Sequence, residues 1–318
     1  MILTLTPNPA LDLTCTVDEV RAHHEHRVQQ VRTAAGGKGV NVARVLAQLG
    51  VRSLAAGPLG GTTGGLLREL LDSIDEISQA WTPIDGETRR TLTVVDRSGA
   101  TGFHGPGPHL STAEVAALRT DLTLLLEAPQ DAGADVEAVT VSGSLPPGMT
   151  ASALAGLVRA LASRGRPVLV DTSGPALLEA ARSGATVLKP NAAEALATTG
   201  TRTPLEAAAA LADLGPHVVV CSLGADGMLG LERTEHGSRA WLARLPEPLG
   251  GNPTGAGDSV VAVLASSLLA DGAALPEVLV RAVAVGAGAV ARPVAGEIDL
   301  ALAELLHPTV EIEEIPCP

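Results

Sequence analysis

Gly250-Gly251-Asn252-Pro253-Thr254-Gly255-Ala256-Gly257-Asp258-Ser259 runs into an apolar stretch without breakers, Val260 to Leu269. The second part reads as a buried helix and the first as a glycine loop that delivers the chain to the helix N-terminus. Such a junction gathers unpaired backbone N–H groups around one point, with the positive end of the helix dipole behind them. It suits a phosphate. Asp258 falls in the first turn, where a carboxylate either takes the proton from a hydroxyl attacking phosphorus or simply caps the helix.

Working outward, the pattern before this junction is regular. Helix Thr112 to Leu126 precedes strand Ala138 to Val141, helix Ser152 to Ser163 precedes strand Pro167 to Val170, and helix Ala176 to Arg182 precedes strand Thr186 to Leu188. Helix Pro204 to Leu214 then precedes strand Val218 to Cys221. This alternation predicts an α/β fold with a mainly parallel sheet and helices on both faces. Ligands in such sheets lie at the carboxyl ends of the strands. The polar clusters fall there: Ser142-Gly143-Ser144, Asp171-Thr172-Ser173, Lys189-Pro190-Asn191 and Ser222-Leu223-Gly224. Nearer the start, Ile2 to Leu5 and Ser53 to Ala56 read as strands and Gly64 to Leu71 as a helix. The β-like stretches Asp12 to Thr16 and Val28 to Thr33, with a hairpin formed by Thr91 to Asp96 and Thr101 to His104, interrupt the alternation. They predict a small sheet projecting from a single domain that spans residues 1–318.

Composition narrows the function. The 318 residues are 46% hydrophobic but only 1% aromatic, with one Phe and no Tyr, so the core is built from Ala, Val and Leu. A net charge of −13 and the lack of stacking rings argue against nucleic acid as a partner. No apolar run reaches membrane-spanning length. Cys15, Cys221 and Cys317 have no metal-ligand spacing, which fits reduced thiols and a cytoplasmic setting, and Met1-Ile2-Leu3-Thr4-Leu5 leads straight into Pro7 rather than reading as a leader.

A second glycine loop, Gly36-Gly37-Lys38-Gly39, opens the helix that carries Val40, Asn41, Val42 and Ala43. Lys38 there is a point charge suited to an anion, and Asn41 in the first turn can bond hydroxyls. It is not a Walker A loop, since Gly follows the Lys. Gly286-Ala287-Gly288 matches a loose dinucleotide pattern but lies inside an Ala/Val helix, Val278 to Ala291, and reads as packing. Asp12 follows the first strand within Asn8-Pro9-Ala10-Leu11-Asp12, as a sugar ligand or a turn residue. Arg89 enters the Thr91 strand, placed for a substrate phosphate or for solvent. Asn191 and Glu194, spaced N-x-x-E at a helix start, either order Mg²⁺ through water or cap the helix. His23, His24 and His26 have no further ligands at a suitable spacing and read as solvated loop.

Taken together, these stretches resemble the ribokinase-like carbohydrate kinases, the PfkB family, over essentially the whole chain. Asn252 to Ser259 and Gly36 to Ala43 are the most specific of them. Asn8 to Asp12, Val141 to Gly148, Lys189 to Asn191 and Ser222 to Gly227 add to the likeness. The resemblance is to the branch that phosphorylates sugar phosphates. It implies a ribokinase-like three-layer sandwich whose small β lid is formed by two insertions, about 12–33 and 88–105. It implies ATP and Mg²⁺ as cofactors, and phosphorylation of a ketohexose phosphate. Fructose 1-phosphate ranks first, with tagatose 6-phosphate and fructose 6-phosphate as alternatives and a non-catalytic sensor as a remote one. By the same resemblance Asp258 matches the catalytic base, and the amides of Gly255, Ala256 and Gly257 match the anion hole. Asp12, Gly37, Lys38, Asn41 and Ser142 match sugar-binding positions; Arg89 and Arg27 match contacts to the existing phosphate. Lys189, Asn191, Ser222, Gly224 and Gly227 match ATP positions, and Glu194 the Mg²⁺-ordering acid. The lid also implies a homodimer contact. Asn252 stands where some relatives carry an Asp that helps to hold a monovalent cation.

Overall fold

The computed structural model describes residues 1–127 and 135–317. The first part of the chain folds as β1 (Ile2–Leu5), β2 (Ala10–Thr16), β3 (Gln30–Gly36), α1 (Lys38–Gln48), β4 (Ser53–Leu59), α2 (Gly61–Asp72) and β5 (Ile77–Pro83). Then come β6 (Arg89–Asp96), β7 (Gly99–His104), α3 (Thr112–Glu127), β8 (Ala138–Ser142), α4 (Ala151–Ala162), β9 (Val168–Asp171) and α5 (Pro175–Ala181). Next follow β10 (Val187–Leu188), α6 (Ala192–Thr199), α7 (Pro204–Ala212), β11 (Val218–Ser222), β12 (Met228–Thr234) and β13 (Gly237–Arg244). The chain closes with α8 (Ala256–Val263), α9 (Leu275–Val290), α10 (Leu300–Leu306) and β14 (Glu311–Ile315).

The large sheet has ten strands in the order β14-β13-β12-β11-β10-β9-β8-β1-β4-β5. From β11 to β5 every pairing is parallel, while β12, β13 and β14 add an antiparallel edge. Side chains alternate across it, as the strand period of two requires. In β1, Leu3 and Leu5 join α3, α4, α5 and α7 on one face, whereas Ile2 joins α1, α8 and α9 on the other. The result is three layers with helices on both sides, as the alternation predicts.

The smaller sheet has the order β3-β2-β6-β7, and its register sets Asp12, Thr91 and His104 in one cross-strand row. The opposite face carries Leu13, Cys15, Val31, Leu92, Val94 and Phe103, with Val31 57% and Phe103 58% exposed. The histidine stretch between β2 and β3 is exposed, and among the described residues no cluster of three metal-ligating side chains forms.

Several elements differ from the sequence reading. The strands β5, β12, β13 and β14 are not expected from the sequence; β5 and β14 are the sheet edges, β12 contains Gly230, which lies against Leu279 and Leu275, and β14 reads Glu-Ile-Glu-Glu-Ile. Pairing with neighbours, not intrinsic propensity, makes them strands. The helix expected through Val260 to Leu269 is regular only to Val263 and continues as wider π-type turns from Leu264 to Ala270. There the Ser266 hydroxyl donates to the carbonyls of Ala262 and Val263 at 2.9 and 3.3 Å, competing with the ladder. Gly288 packs as expected, since a Cβ would stand 2.7 Å from the Asp299 carbonyl. Among the described residues no helix is long and apolar enough to cross a membrane.

Candidate active site

The carboxyl ends of β8 to β11, the N-termini of α1 and α8 and one face of the smaller sheet enclose a cavity of about 930 Å³. Gly255 caps α8 with φ +87°, a left-handed turn that a side chain would strain. A Cβ would also meet Ala295 Cα at 2.9 Å. No side chain caps this helix; the Ala256 amide donates to the Pro253 carbonyl at 3.2 Å, while those of Gly257 and Asp258 have no internal partner beside the cavity.

Asp258 sits in that turn, 5% exposed, and its Oδ2 accepts from Asn41 Nδ2 at 2.8 Å. Burial pushes its acid up to about 7. The nearby Lys38 works against this, Asp171 adds to it, and the Asn41 bond and Lys189 also pull it down. A carboxylate of that strength is matched to taking a proton near neutral pH.

Lys38, the first residue of α1, places Nζ 3.3 Å from both oxygens of Asp171, and Lys189 Nζ lies 3.7 Å from Asp171 Oδ1. Lys38 is half-exposed while Asp171 and Lys189 are buried. Burial works against the charge on Lys38, but Asp171, Asp258 and Glu194 together outweigh it and raise its pKa. Asp171 appeared in the sequence only as part of a strand-end cluster; its place between two lysines was not read. The available signal was its position at the carboxyl end of a parallel strand.

Asp12 lines the cavity with Thr14, Thr91, Thr93 and His104, and its Oδ1 accepts from the Thr91 hydroxyl. Its pKa is raised by burial, against the Thr91 bond and the charges of Arg44, Arg89 and His104. Arg89 is already engaged: Nη1 donates to the Gly105 carbonyl at 2.9 Å and Nη2 to that of Asn8 at 3.0 Å, leaving Nε buried without a partner. Gly37, Lys38 and Asn41 line the same side. Arg27 is exposed between β2 and β3 and is not part of the lining. Ser142 is buried beneath the lining residues Gly143 and Ser144, its hydroxyl unpartnered.

The far end is walled by Lys189, Asn191, Ser222, Gly224, Gly227 and the apolar Val283, Ala287 and Val290. Asn191 and Glu194 form a reciprocal cap: Glu194 N donates to Asn191 Oδ1 at 2.8 Å and Asn191 N to Glu194 Oε2 at 3.0 Å. The helix-cap reading is therefore realised, with Glu194 still at the cavity wall. Asn252 is spanned by Thr254 N, which donates to Oδ1 at 3.1 Å, and by the Pro293 carbonyl, which accepts from Nδ2 at 3.0 Å.

Residues 8–300 match the pfkB family carbohydrate kinases. The chain belongs to that family. It is a sugar kinase that draws on ATP, and its fold neighbours agree. Phosphofructokinase-2 from Escherichia coli, solved with fructose-6-phosphate, is 30% identical over 96% of this chain and 98% of that one, with a TM-score of 0.83. The same enzyme has also been solved with potassium and in a tetrameric inhibited form. A possible 1-phosphofructokinase from Thermotoga maritima is 26% identical over 99% and 100% of the two chains, TM-score 0.86. Ribokinase from Arabidopsis thaliana, at 19% identity over 96% of this chain and 98% of that one and TM-score 0.69, shares the fold.

Proposed function

We propose that this kinase phosphorylates a ketohexose that already carries a phosphate, with fructose 1-phosphate as the leading substrate and fructose 1,6-bisphosphate as product. The observation that carries the reading is Lys38, a half-exposed ammonium at the mouth of α1, close enough to Asp258 to shift its pKa, in a chain of net charge −13. A cation kept there suits an anionic substrate. Likeness to a possible 1-phosphofructokinase is in keeping with fructose 1-phosphate, while likeness to phosphofructokinase-2 solved with fructose-6-phosphate keeps fructose 6-phosphate, with tagatose 6-phosphate, as the alternatives. Turnover on a panel of phosphorylated and free ketohexoses tests it. The highest kcat/KM is expected with fructose 1-phosphate, and preference for an unphosphorylated sugar sinks the sugar-phosphate reading.

The sugar hydroxyl oxygen attacks the γ-phosphorus of ATP, the bond to the β–γ bridging oxygen breaks, and the hydroxyl proton passes to Asp258. Asn41 occupies Oδ2, which leaves Oδ1 for that proton. The amides of Gly255 and Gly257 hold the charge on the moving phosphoryl group, and that of Ala256 would join them by releasing the Pro253 carbonyl. Asp12, Gly37 and Asn41 orient the sugar, with Ser142 supporting the loop above it. Lys38 holds its phosphate; Arg89 would join it only through the N–H groups not given to the Asn8 and Gly105 carbonyls, and Arg27 only by movement of its exposed loop. Lys189, Asn191, Ser222, Gly224 and Gly227 hold the nucleotide. The smaller sheet acts as a lid, closing over the sugar to exclude water.

No cluster of carboxylates among the described residues would cage a metal by itself, and Mg²⁺ does not need one: it keeps waters and binds mainly through nucleotide phosphates. Glu194, with Oε2 in the cap, would order those waters, and the ion supplies charge neutralisation on the phosphates. Glu194→Gln separates the two duties. Glutamine preserves the capping box, so thermal stability is expected to stay level. The Mg²⁺ concentration for half-maximal rate should rise about 10-fold, the low end for loss of an outer-shell partner. An unchanged Mg²⁺ titration removes the metal role.

The apolar outer face of the lid, with Val31 and Phe103 more than half exposed, supports a homodimer through this sheet. Phe103→Asp is expected to shift a dimer to monomer in sedimentation velocity; a wild type that sediments as a monomer refutes the arrangement.

A further inference from the structure

One stripe of α1 carries Asn41, Arg44 and Gln48, spaced three and four residues apart so that they share a face. Asn41 points at the base. The other two reach away from the cavity lumen, to the segment that joins α9 to α10. Arg44 Nη1 donates to the Ala295 carbonyl at 2.7 Å and, more weakly, to that of Ala35 at 3.4 Å, with Nη2 3.7 Å from Glu297 Oε1. Gln48 Nε2 donates to the Gly296 carbonyl at 2.8 Å, and its Oε1 accepts from Ile298 N at 3.0 Å.

The segment is shaped around the guanidinium. Gly296 has φ +76°, and a Cβ on it would stand 2.8 Å from Arg44 Nη1 and 3.1 Å from Asn41 Oδ1. Its other side is the wall of the anion site: Ala295 Cα lies 2.9 Å from where a Cβ on Gly255 would stand, and Asn252 ties the Pro293 carbonyl to the glycine loop. The carbonyls of Pro293, Ala295 and Gly296 are thus each held by a different side chain, and Arg44 contributes the charged one.

We propose that Arg44 is a positioning residue for phosphoryl transfer. Acting through the main chain of Ala295 and Gly296, it sets the wall against which Gly255 packs, and with it the aim of the Gly257 amide. It does not line the cavity, though its charge reaches Asp12 on the sugar side. This rests on the anion-hole role given above to the α8 amides.

The position predicts a particular kinetic signature, because amides aimed at the transition state affect turnover more than binding. Arg44→Ala is expected to lower kcat about 30-fold, within the range for a misaimed donor, with KM for ATP changed by less than about 3-fold and KM for the sugar, whose ligand Asp12 feels the Arg44 charge, changed by less than kcat. Added guanidinium, below denaturing concentration, should restore at least about a fifth of the lost rate by filling the vacated seat. Arg44→Lys, which retains the charge but not the fork, should fall between Ala and wild type. A folded Arg44→Ala protein with kcat within about 2-fold of wild type overturns the proposal, as does a loss that guanidinium leaves untouched. If the alanine variant does not fold, Arg44→Lys decides: kcat equal to wild type refutes the role, and a selective fall in kcat supports it. The assay uses whichever sugar the wild type turns over fastest, so an error in the substrate leaves this test intact. An Asp258→Asn enzyme that keeps full turnover would instead remove the site reading on which the proposal depends.

Discussion

Asp258→Asn is expected to lower kcat by at least about 10²-fold at saturating sugar phosphate and ATP, the lower end of what a positioned general base contributes. The amide keeps the size and the bond to Asn41 but cannot accept the hydroxyl proton, so KM for both substrates should change little. The raised pKa adds a pH signature. With the carboxyl near 7 in the free enzyme, wild-type kcat/KM should rise about tenfold per unit below pH 7 and level off above it. The variant should lack that limb.

Stability serves as the control. The folded-state value, about 7, lies above the ordinary 3.8, so the folded protein holds a proton that the unfolded chain releases. Wild-type stability therefore falls as pH rises between those values, and the asparagine variant escapes this loss. Its melting temperature at pH 8 should equal or exceed that of wild type. Turnover near the wild-type rate would remove Asp258 from its role, and a collapsed melting temperature would assign the loss to folding.

Lys38→Ala should act on binding instead. A hydrogen bond to a charged group is worth about 1.5–3 kcal/mol, so KM for the phosphorylated sugar should rise about 10- to 10²-fold. The same substitution takes a positive charge away from Asp258, and Lys38 lowers the pKa of that group. The pH limb of kcat/KM should consequently move to higher pH. A side chain that merely hung in solvent would move neither, and an unchanged KM would exclude it from the substrate phosphate. Asp171 keeps Lys189 as a partner in the variant, which protects the buried carboxylate from being stranded.

Much of the fold was legible because its signals are short-range. Alternating helices and strands between Thr112 and Cys221, and the hairpin around Arg97 to Gly99, follow from hydrophobic period and turn residues. The glycine loops before α1 and α8 were legible for the same reason, as local breaks ahead of a periodic helix. Glu311 to Ile315 was not, since three glutamates in five residues offer no apolar face; β14 exists because β13 is there to pair with it. Asn191 and Glu194 left two readings open, and the observed cap fulfils one without deciding the metal role.

By itself, then, the sequence determined the layered α/β plan, the two glycine loops that open helices beside the cavity, and the strand ends where polar residues gather. Tertiary structure alone decided that Asn41 and Asp258, 217 positions apart, share a hydrogen bond, and that Asp171 stands between Lys38 and Lys189. It alone decided that Arg89 is spent on two carbonyls and that Arg44 shapes the segment behind Gly255. Backbone period and turn chemistry depend on neighbours a few residues away, whereas desolvation, charge coupling and close packing depend on which distant segments the fold brings together.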